Sequence, residues 1–285
     1  MDERHAKYFL LLPTMVILVS IVVYPMIFAL KASFFVWRLR GEPIFVGIEN
    51  YKNLFAQDSF SNSLIKTAYF VVGAVALEFI LGLILALIMN REMGKFRGVM
   101  RTLLTIPMFT APIVVGVTWR MLYNPNFGAI NWIFHSKGFA PTGSSVLALP
   151  AVIIADAWQW TPFMFIIFLA ALQSVPQEII EAAKVDGASY FQRLKSVVMP
   201  HLSYVMAIAV ILRMMEAVKT FDLVYTLTFG GPGMASETVS FAMFKIAFND
   251  FNIGMAVAFS WIVVIILGVI TTLFLNYVQR KIGIV

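Results

Sequence analysis

Six long apolar runs constrain this chain more than any other feature of its sequence. They lie at about 8–30, 64–89, 102–122, 146–172, 202–225 and 253–278. An α-helix needs roughly 20 residues to cross a hydrocarbon core about 30 Å thick, and each run reaches that length. None alternates strictly between apolar and polar residues, as the strands of a membrane β-barrel would. The sequence therefore predicts an all-α, polytopic membrane protein with six transmembrane helices.

The composition agrees with this class. Of 285 residues, 60% are hydrophobic and 13% are charged, which is more apolar surface than a water-soluble core could bury. The first run is too long for the apolar region of a signal peptide and lacks a small-x-small cleavage site, so we expect it to remain as a span. Pro107 and Pro112 are expected to break the third span. We expect one membrane domain over residues 1–285.

The distribution of Lys and Arg predicts that both termini are cytoplasmic. In that orientation eleven cations fall in the inner segments and eight in the outer ones, and the densest inner connection carries Arg91, Lys95, Arg97 and Arg101. Cationic residues accumulate on the cytoplasmic side of membrane proteins. We therefore assign the net charge of +6 to topology and to contact with anionic lipid, and not to nucleic-acid binding.

Catalytic and metal-binding patterns are absent from the sequence. The chain has no cysteine, and its three histidines, His5, His135 and His201, have no metal-ligand spacing. We find no nucleophile and base pair and no phosphate-binding glycine loop. The sequence predicts a conduit rather than an enzyme, with no cofactor bound by this chain.

The connection at about 174–200 predicts a helix, a bend and a second helix on the cytoplasmic face. Ser174 precedes Pro176 and Gln177 in the order of a helix start, and Gly187 is expected to end that helix. Ser189 and Gln192 form a second capping box, and Pro200 is expected to separate the second helix from the fifth span. The residues in the middle are small or charged: Glu181, Ala182, Ala183, Lys184, Asp186, Gly187 and Ala188. By composition alone they suit either a protein docking site or an ordinary solvated turn.

Four charged residues recur at three-residue spacing in the fifth span: Arg213, Glu216, Lys219 and Asp222. Charges near the middle of a bilayer are costly unless they face protein or water. Neighbouring charges in this row could neutralise each other, or Arg213 and Glu216 could face an aqueous cavity and bind a polar solute. We favour the second interpretation for those two residues and a structural or gating role for Lys219 and Asp222. Glu78, within the second span, is expected to be the partner of a buried cation rather than a solute ligand.

The 174–200 connection resembles the signature loop of the membrane subunits of binding-protein-dependent ABC importers. The matching residues are Glu181-Ala182-Ala183, Gly187, Val197, Met199 and Pro200, with Val197 and Met199 where the family more often has Ile and Leu. The resemblance covers nearly the whole chain and is greatest for the carbohydrate-uptake branch, the maltose and glycerol-phosphate permease type. It is supported there by Trp158-Gln159-Trp160-Thr161-Pro162-Phe163, Phe221-Asp222-Leu223-Val224-Tyr225 and Gly230-Gly231-Pro232.

This resemblance implies a type I ABC importer permease fold in a bacterial or archaeal cytoplasmic (inner) membrane. It implies a second membrane permease subunit, usually different from the first, and a cytoplasmic ATPase dimer that holds ATP and Mg. It also implies an external solute-binding protein that delivers a sugar, a polyol or a sugar derivative. The signature loop would be the coupling helix that contacts the ATPase.

The resemblance also implies the residues that line the solute pathway. They are Asp156, Gln159, Trp160 and Phe163 in the fourth span, with Arg213, Glu216 and Ala217 in the fifth. Aromatic rings suit the apolar face of a sugar, while Asp156 and Gln159 suit its hydroxyl groups. Arg213 suits a solute with an anionic group or with many hydroxyls.

A secondary transporter driven by an ion gradient is the alternative, with the charges of the fifth span as a proton relay. Such transporters commonly carry inverted repeats, and we find none in the six spans.

Overall fold

Helices form most of this protein, for which the computed structural model describes residues 3–38, 41–90, 96–134 and 138–282. In chain order the helices are α1 (Glu3–Leu18), α2 (Tyr24–Ala32), α3 (Glu49–Phe55), α4 (Asp58–Met89), α5 (Phe96–Thr105), α6 (Pro112–Leu122), α7 (Ala129–Ile133), α8 (Ala148–Gln173), α9 (Gln177–Val185), α10 (Tyr190–Arg193), α11 (Met199–Val218), α12 (Asp222–Leu227), α13 (Val239–Phe244) and α14 (Ile253–Ile282). Two short strands, β1 (Phe35–Val36) and β2 (Ile44–Phe45), pair antiparallel. Arg91 and Lys95, which were assigned to an inner connection, and His135 lie outside the described ranges.

The number of spans agrees with the sequence prediction. Within the described ranges, five helical stretches are long and apolar enough to cross a membrane. They are Leu11–Ala32, Asp58–Met89, Ala148–Gln173, Tyr190–Val218 and Ile253–Arg280. A helix pair, Gly98–Phe109 with Pro112–Leu122, makes the sixth when it is counted as one span, and it is bent by 95°. This bend confirms the predicted break of the third span. Its cause is the proline at the start of α6, which cannot continue the preceding helix.

One compact unit comprises Met1–Ser61 and Ala242–Gly268. Its buried polar centre is Asn50, whose side-chain amide donates to the carbonyl oxygens of Ser33 at 2.8 Å and Phe35 at 2.9 Å. The Tyr51 hydroxyl donates to Ser33 Oγ at 2.8 Å. A Cβ atom on Gly254 would lie 1.9 Å from the carbonyl oxygen of Phe35, so the two backbones meet closely. These contacts fix the polypeptide that follows α2.

The other unit comprises Asn62–Phe241 and Val269–Val285. Helix α8 lies at its centre. Of its most apolar stretch of 18 residues, 61% are buried, and Phe165 and Phe168 are inaccessible to solvent. Glycine allows close packing in two places. A Cβ atom on Gly82 would lie 2.6 Å from the Cβ of Met164, and one on Gly116 would lie 1.7 Å from Thr226 Oγ1. Helix α4 therefore packs closely against α8, and α6 against α12.

The fifth span differs from its prediction at both ends. A continuous helical stretch runs from Tyr190 to Val218, so Pro200 does not separate the loop helix from the span. A π-helical turn at Leu194–Val198 precedes the proline, and the Met199 N–H bonds to the Leu194 carbonyl, which accommodates the residue that lacks an N–H. The helix ends at Val218 and α12 begins at Asp222. Arg213 therefore lies about 8 Å from the end of its helix.

The 174–200 connection confirms part of its prediction. The Ser174 hydroxyl donates to the Ala171 carbonyl at 2.8 Å and so belongs to the end of α8; α9 begins without a side-chain cap. The prediction that Ser174 caps the N-terminus of α9 was therefore wrong, since it caps the C-terminus of α8. The second capping box is present, since the Ser189 N–H donates to Gln192 Oε1 at 2.7 Å and the Gln192 N–H donates to Ser189 Oγ at 3.4 Å.

Candidate functional site

Three charged side chains from α4, α8 and α11 meet inside the unit that contains them. Arg213 Nε lies 2.8 Å from Glu78 Oε2, and Arg213 Nη2 donates to Glu78 Oε1 at 2.9 Å. The same Nη2 contacts Asp156 Oδ2. Glu78 is 0%, Arg213 1% and Asp156 1% exposed. We call this group the buried charge centre.

The buried charge centre ties three helices together. Removing an ion from water costs several kcal/mol, and only a partner with good geometry offsets that cost. Arg213 Nη2 makes a charge-assisted hydrogen bond to Glu78 Oε1, whereas Arg213 Nε and Glu78 Oε2 are within ion-pair distance but form no hydrogen bond. The guanidinium carbon also lies 5.0 Å from the centroid of the Trp160 ring, within the range of a cation–π contact. Each member therefore depends on the others to remain buried.

A cavity of about 140 Å³ borders the buried charge centre. Its wall combines carboxylates, an amide, two cations and aromatic rings, which suits a small polar solute with an apolar face. The lining residues are Pro112, Asp156, Gln159, Trp160, Arg213, Glu216, Lys219, Thr220, Phe221, Asp222 and Leu223.

Gln159 connects this cavity to the break in the third span. Its Nε2 donates to the carbonyl oxygen of Thr110 at 2.8 Å, and Thr110 lies between the 3₁₀ turn Ile106–Phe109 and α6. A broken helix leaves carbonyl groups without helical partners, and in a membrane these need another donor. Gln159 supplies that donor and retains its amide oxygen as an acceptor.

The other three charges of the row, Glu216, Lys219 and Asp222, lie outside the buried charge centre. Glu216 Oε1 and Lys219 Nζ lie 2.6 Å apart, with side chains 55% and 62% exposed. Asp222 is half-buried at the first position of α12, and its carboxylate forms no ion pair within the described part of the chain. The interpretation that neighbouring charges in the row neutralise each other is therefore correct for Glu216 and Lys219. It does not hold for Arg213 and Glu216, because Arg213 is directed at α4 and α8.

Five of the seven residues expected along the solute pathway line the cavity: Asp156, Gln159, Trp160, Arg213 and Glu216. Two others do not belong to the lining. Ala217 is buried in the core, and Phe163 is half-buried with its ring 6.4 Å from that of Trp160. Lys219 and Asp222, expected to have structural or gating roles, also line the cavity. Glu78 has the expected position, as the partner of a buried cation.

The sequence did not indicate four other lining residues: Pro112, Thr220, Phe221 and Leu223. Phe221, Asp222 and Leu223 belong to a segment that had been quoted only for its resemblance. The break between α11 and α12 brings this segment to the cavity. The only sequence feature that could have indicated this was the row of charged residues, which continues across the break to Asp222.

The signature loop folds into a tight C-terminal helix cap. The Ala188 N–H donates to the Ala183 carbonyl at 3.0 Å and the Gly187 N–H donates to the Lys184 carbonyl at 3.0 Å. Gly187 has φ +75°, the left-handed conformation that this cap requires and that glycine adopts without strain. Glu181, Ala182 and Asp186 are exposed. The exposed face of α9 ends in Val185, which is 88% exposed.

Similar proteins share most of this chain. The trehalose/maltose transport system permease protein MalF of Thermococcus litoralis is 38% identical over 261 residues, covering 88% of this chain and 85% of that protein. The trehalose transport system permease protein SugA of Mycobacterium tuberculosis is 32% identical over 279 residues, covering 97% and 89%.

The fold is also that of a solved transporter. A chain of a bacterial ABC transporter involved in the import of the acidic polysaccharide alginate superposes with a TM-score of 0.83 at 21% identity, covering 96% of this chain and 95% of that one. This likeness confirms the predicted type I importer permease fold. The family described as binding-protein-dependent transport system inner membrane component matches residues 78–284. The chain therefore belongs to this family, as a multi-pass inner-membrane transport component and not an enzyme.

Proposed function

We propose that this chain forms one half of the translocation pathway of an ATP-driven importer for a sugar, a polyol or a sugar derivative. The observation that carries the proposal is the cavity of about 140 Å³ beside the buried charge centre. It lies in a chain whose relatives are named as trehalose and maltose permeases.

The chemistry of the cavity supports a carbohydrate. Carboxylate oxygens of Asp156 and the amide oxygen of Gln159 accept hydrogen bonds from hydroxyl groups. Trp160 and Phe221 present aromatic surface on which the apolar face of a sugar ring can pack. Asp156 and Gln159 are only 1% and 2% exposed, so their positions are fixed before a solute arrives.

The signature loop supports coupling to a partner protein. Its helix α9 is exposed along Glu181, Ala182 and Asp186, and the cap at Gly187 holds the end of that helix in one geometry. Arg193 Nη1 also donates to the Ala188 carbonyl, which joins the bend to the helical stretch that continues to Arg213. Movement imposed on α9 by a partner would therefore reach the cavity through one continuous helix.

The proposal assigns the remaining parts of the transporter to other chains. A second permease completes the pathway, a cytoplasmic ATPase dimer binds ATP and Mg, and an external binding protein delivers the solute. This chain binds no nucleotide. The loop lies on the cytoplasmic side with both termini.

Reconstitution of the complete transporter tests this proposal against an ion-gradient mechanism. Proteoliposomes with the external binding protein outside would receive radiolabelled trehalose or maltose, with ATP inside. We expect uptake that requires ATP hydrolysis and is abolished by a non-hydrolysable analogue. A proton gradient alone should support no uptake. Uptake driven by the gradient in the absence of nucleotide would reject the proposal.

A further inference from the structure

The cavity carries an excess of acidic groups. Asp156, Glu216 and Asp222 line it together with two cations, Arg213 and Lys219. Glu78 lies behind Arg213 and contacts it through both carboxylate oxygens. The four carboxyl groups outnumber the two cations, and they still do so when one of the two buried carboxyl groups carries a proton. The field inside the cavity is therefore negative.

Both cations already have carboxylate partners. Arg213 uses Nε and Nη2 for Glu78 and Asp156, and one face of its guanidinium lies over Trp160. Lys219 is held by Glu216 at 2.6 Å. Asp222 has no cation partner among the residues that the structure describes. A phosphate or carboxylate in this cavity would have to compete with these carboxylates for the two cations, and it would also meet the unbalanced Asp222.

The size and the remaining groups fit an uncharged ring. A cavity of about 150 Å³ binds benzene, so this cavity of about 140 Å³ has space for no more than one sugar ring. Its acceptors, the carboxylates and the Gln159 amide oxygen, match hydroxyl donors. Like charges brought close together are a means of rejecting the wrong ligand.

We propose that this cavity selects an uncharged sugar ring and rejects solutes that carry a phosphate or a carboxylate. The inference rests on the proposed function and narrows its solute class. Arg213 was expected to suit a solute with an anionic group or with many hydroxyls. The inference excludes the anionic group, because the carboxylates of Glu78 and Asp156 already pair with Arg213.

Equilibrium binding to the complete membrane complex in nanodiscs, without the external binding protein, tests this selectivity. The probes are trehalose, 6,6′-di-O-acetyl trehalose and trehalose 6,6′-bisphosphate, so that whichever ring enters the cavity carries the substituent; the acetyl ester adds bulk at the same positions without charge. We expect the phosphate to bind at least about tenfold more weakly than the acetyl ester. In Asp222→Lys this ratio should fall by about threefold or more. Glu49→Lys, the same charge change at an exposed residue outside the cavity lining, should leave the ratio unchanged.

Each other outcome identifies what has failed. Binding of the phosphate as tight as that of the acetyl ester overturns the inference. An unchanged ratio in Asp222→Lys also overturns the inference. So does the absence of sugar binding in a complex that takes up trehalose with ATP. In each of these cases the proposed function still stands. Trehalose uptake that needs no nucleotide rejects the proposed function instead.

Discussion

Arg213 and Glu78 lie 135 positions apart in the chain, yet Arg213 Nε is 2.8 Å from Glu78 Oε2 and neither side chain is accessible to solvent. This pair, completed by Asp156, joins α4, α8 and α11 at the wall of the cavity. The same arginine thus contributes both to the packing of the spans and to the charge that a solute meets.

Replacement of Arg213 should destabilise the protein strongly. Arg213→Met keeps most of the side-chain volume but leaves Glu78 and Asp156 buried without a cation. Breaking a buried ion pair by removing one partner costs about 3–5 kcal/mol. Thermal unfolding of the purified complex should show this loss. Lys219→Met removes a cation from an exposed pair and should change stability by less than about 1 kcal/mol. Equal effects of the two substitutions would contradict the assignment of Arg213 as a structural cation.

Removal of the whole buried charge centre should separate stability from transport. The triple variant Glu78→Leu, Asp156→Leu and Arg213→Met leaves no unpaired charge, and such apolar replacements are commonly neutral or stabilising by about 1–4 kcal/mol. We expect unfolding at or above the wild-type temperature with loss of sugar uptake, because Asp156 and the charge of Arg213 leave the cavity wall. Normal uptake by a stable triple variant would remove both residues from the pathway.

Gln159 should hold the bend of the third span. Gln159→Leu leaves the partly buried Thr110 carbonyl without its donor, and an unsatisfied polar group costs up to about 1–3 kcal/mol when it is fully buried. The chain has no cysteine, so spin labels at Leu103→Cys and Met121→Cys, both at exposed positions, report the distance between α5 and α6. We expect a broader distance distribution in Gln159→Leu than in the labelled protein with Gln159. An unchanged distribution would show that the prolines alone fix the bend.

Gly187 should be required for coupling because of its backbone conformation and not because of space. A Cβ atom there would meet no atom within 4 Å, but its φ of +75° strains β-branched residues by about 1–2 kcal/mol. Gly187→Val should uncouple ATP hydrolysis from sugar uptake while membrane insertion is retained. Gly187→Asn is the matched control, since asparagine tolerates this conformation. Similar uptake per ATP in both variants would show that the cap is not needed.

The sequence predicted the structural elements that are determined by residues close together in the chain. The six spans follow from runs of apolar residues, the break of the third span from Pro107 and Pro112, and the bend of the loop from Gly187. Local rules failed where a neighbouring residue changed the outcome. Ser174 was expected to start α9, but its hydroxyl bonds back to α8. Pro200 was expected to interrupt the fifth helix, but the π-helical turn before it accommodates the proline.

The candidate site was less predictable because its contacts are long-range. Charge spacing left two alternatives for Arg213, pairing with Glu216 on the same helix or facing a cavity, and it did not indicate the partners on α4 and α8. The spacing of residues along one helix cannot indicate which other helix lies beside it. Glu78 was correctly expected to pair with a cation, because an acid within an apolar run needs one, but the identity of that cation came only from the fold. Gln159 was expected to bind solute, and its bond to Thr110 depends on a break in another span.

A structure of the complete transporter trapped with trehalose, determined by electron cryomicroscopy, tests the central claim most directly. The account predicts sugar density within hydrogen-bonding distance of Asp156 and Gln159, with a ring packed against Trp160 and α9 seated on the ATPase. Sugar density elsewhere in the membrane with this cavity empty would contradict the account.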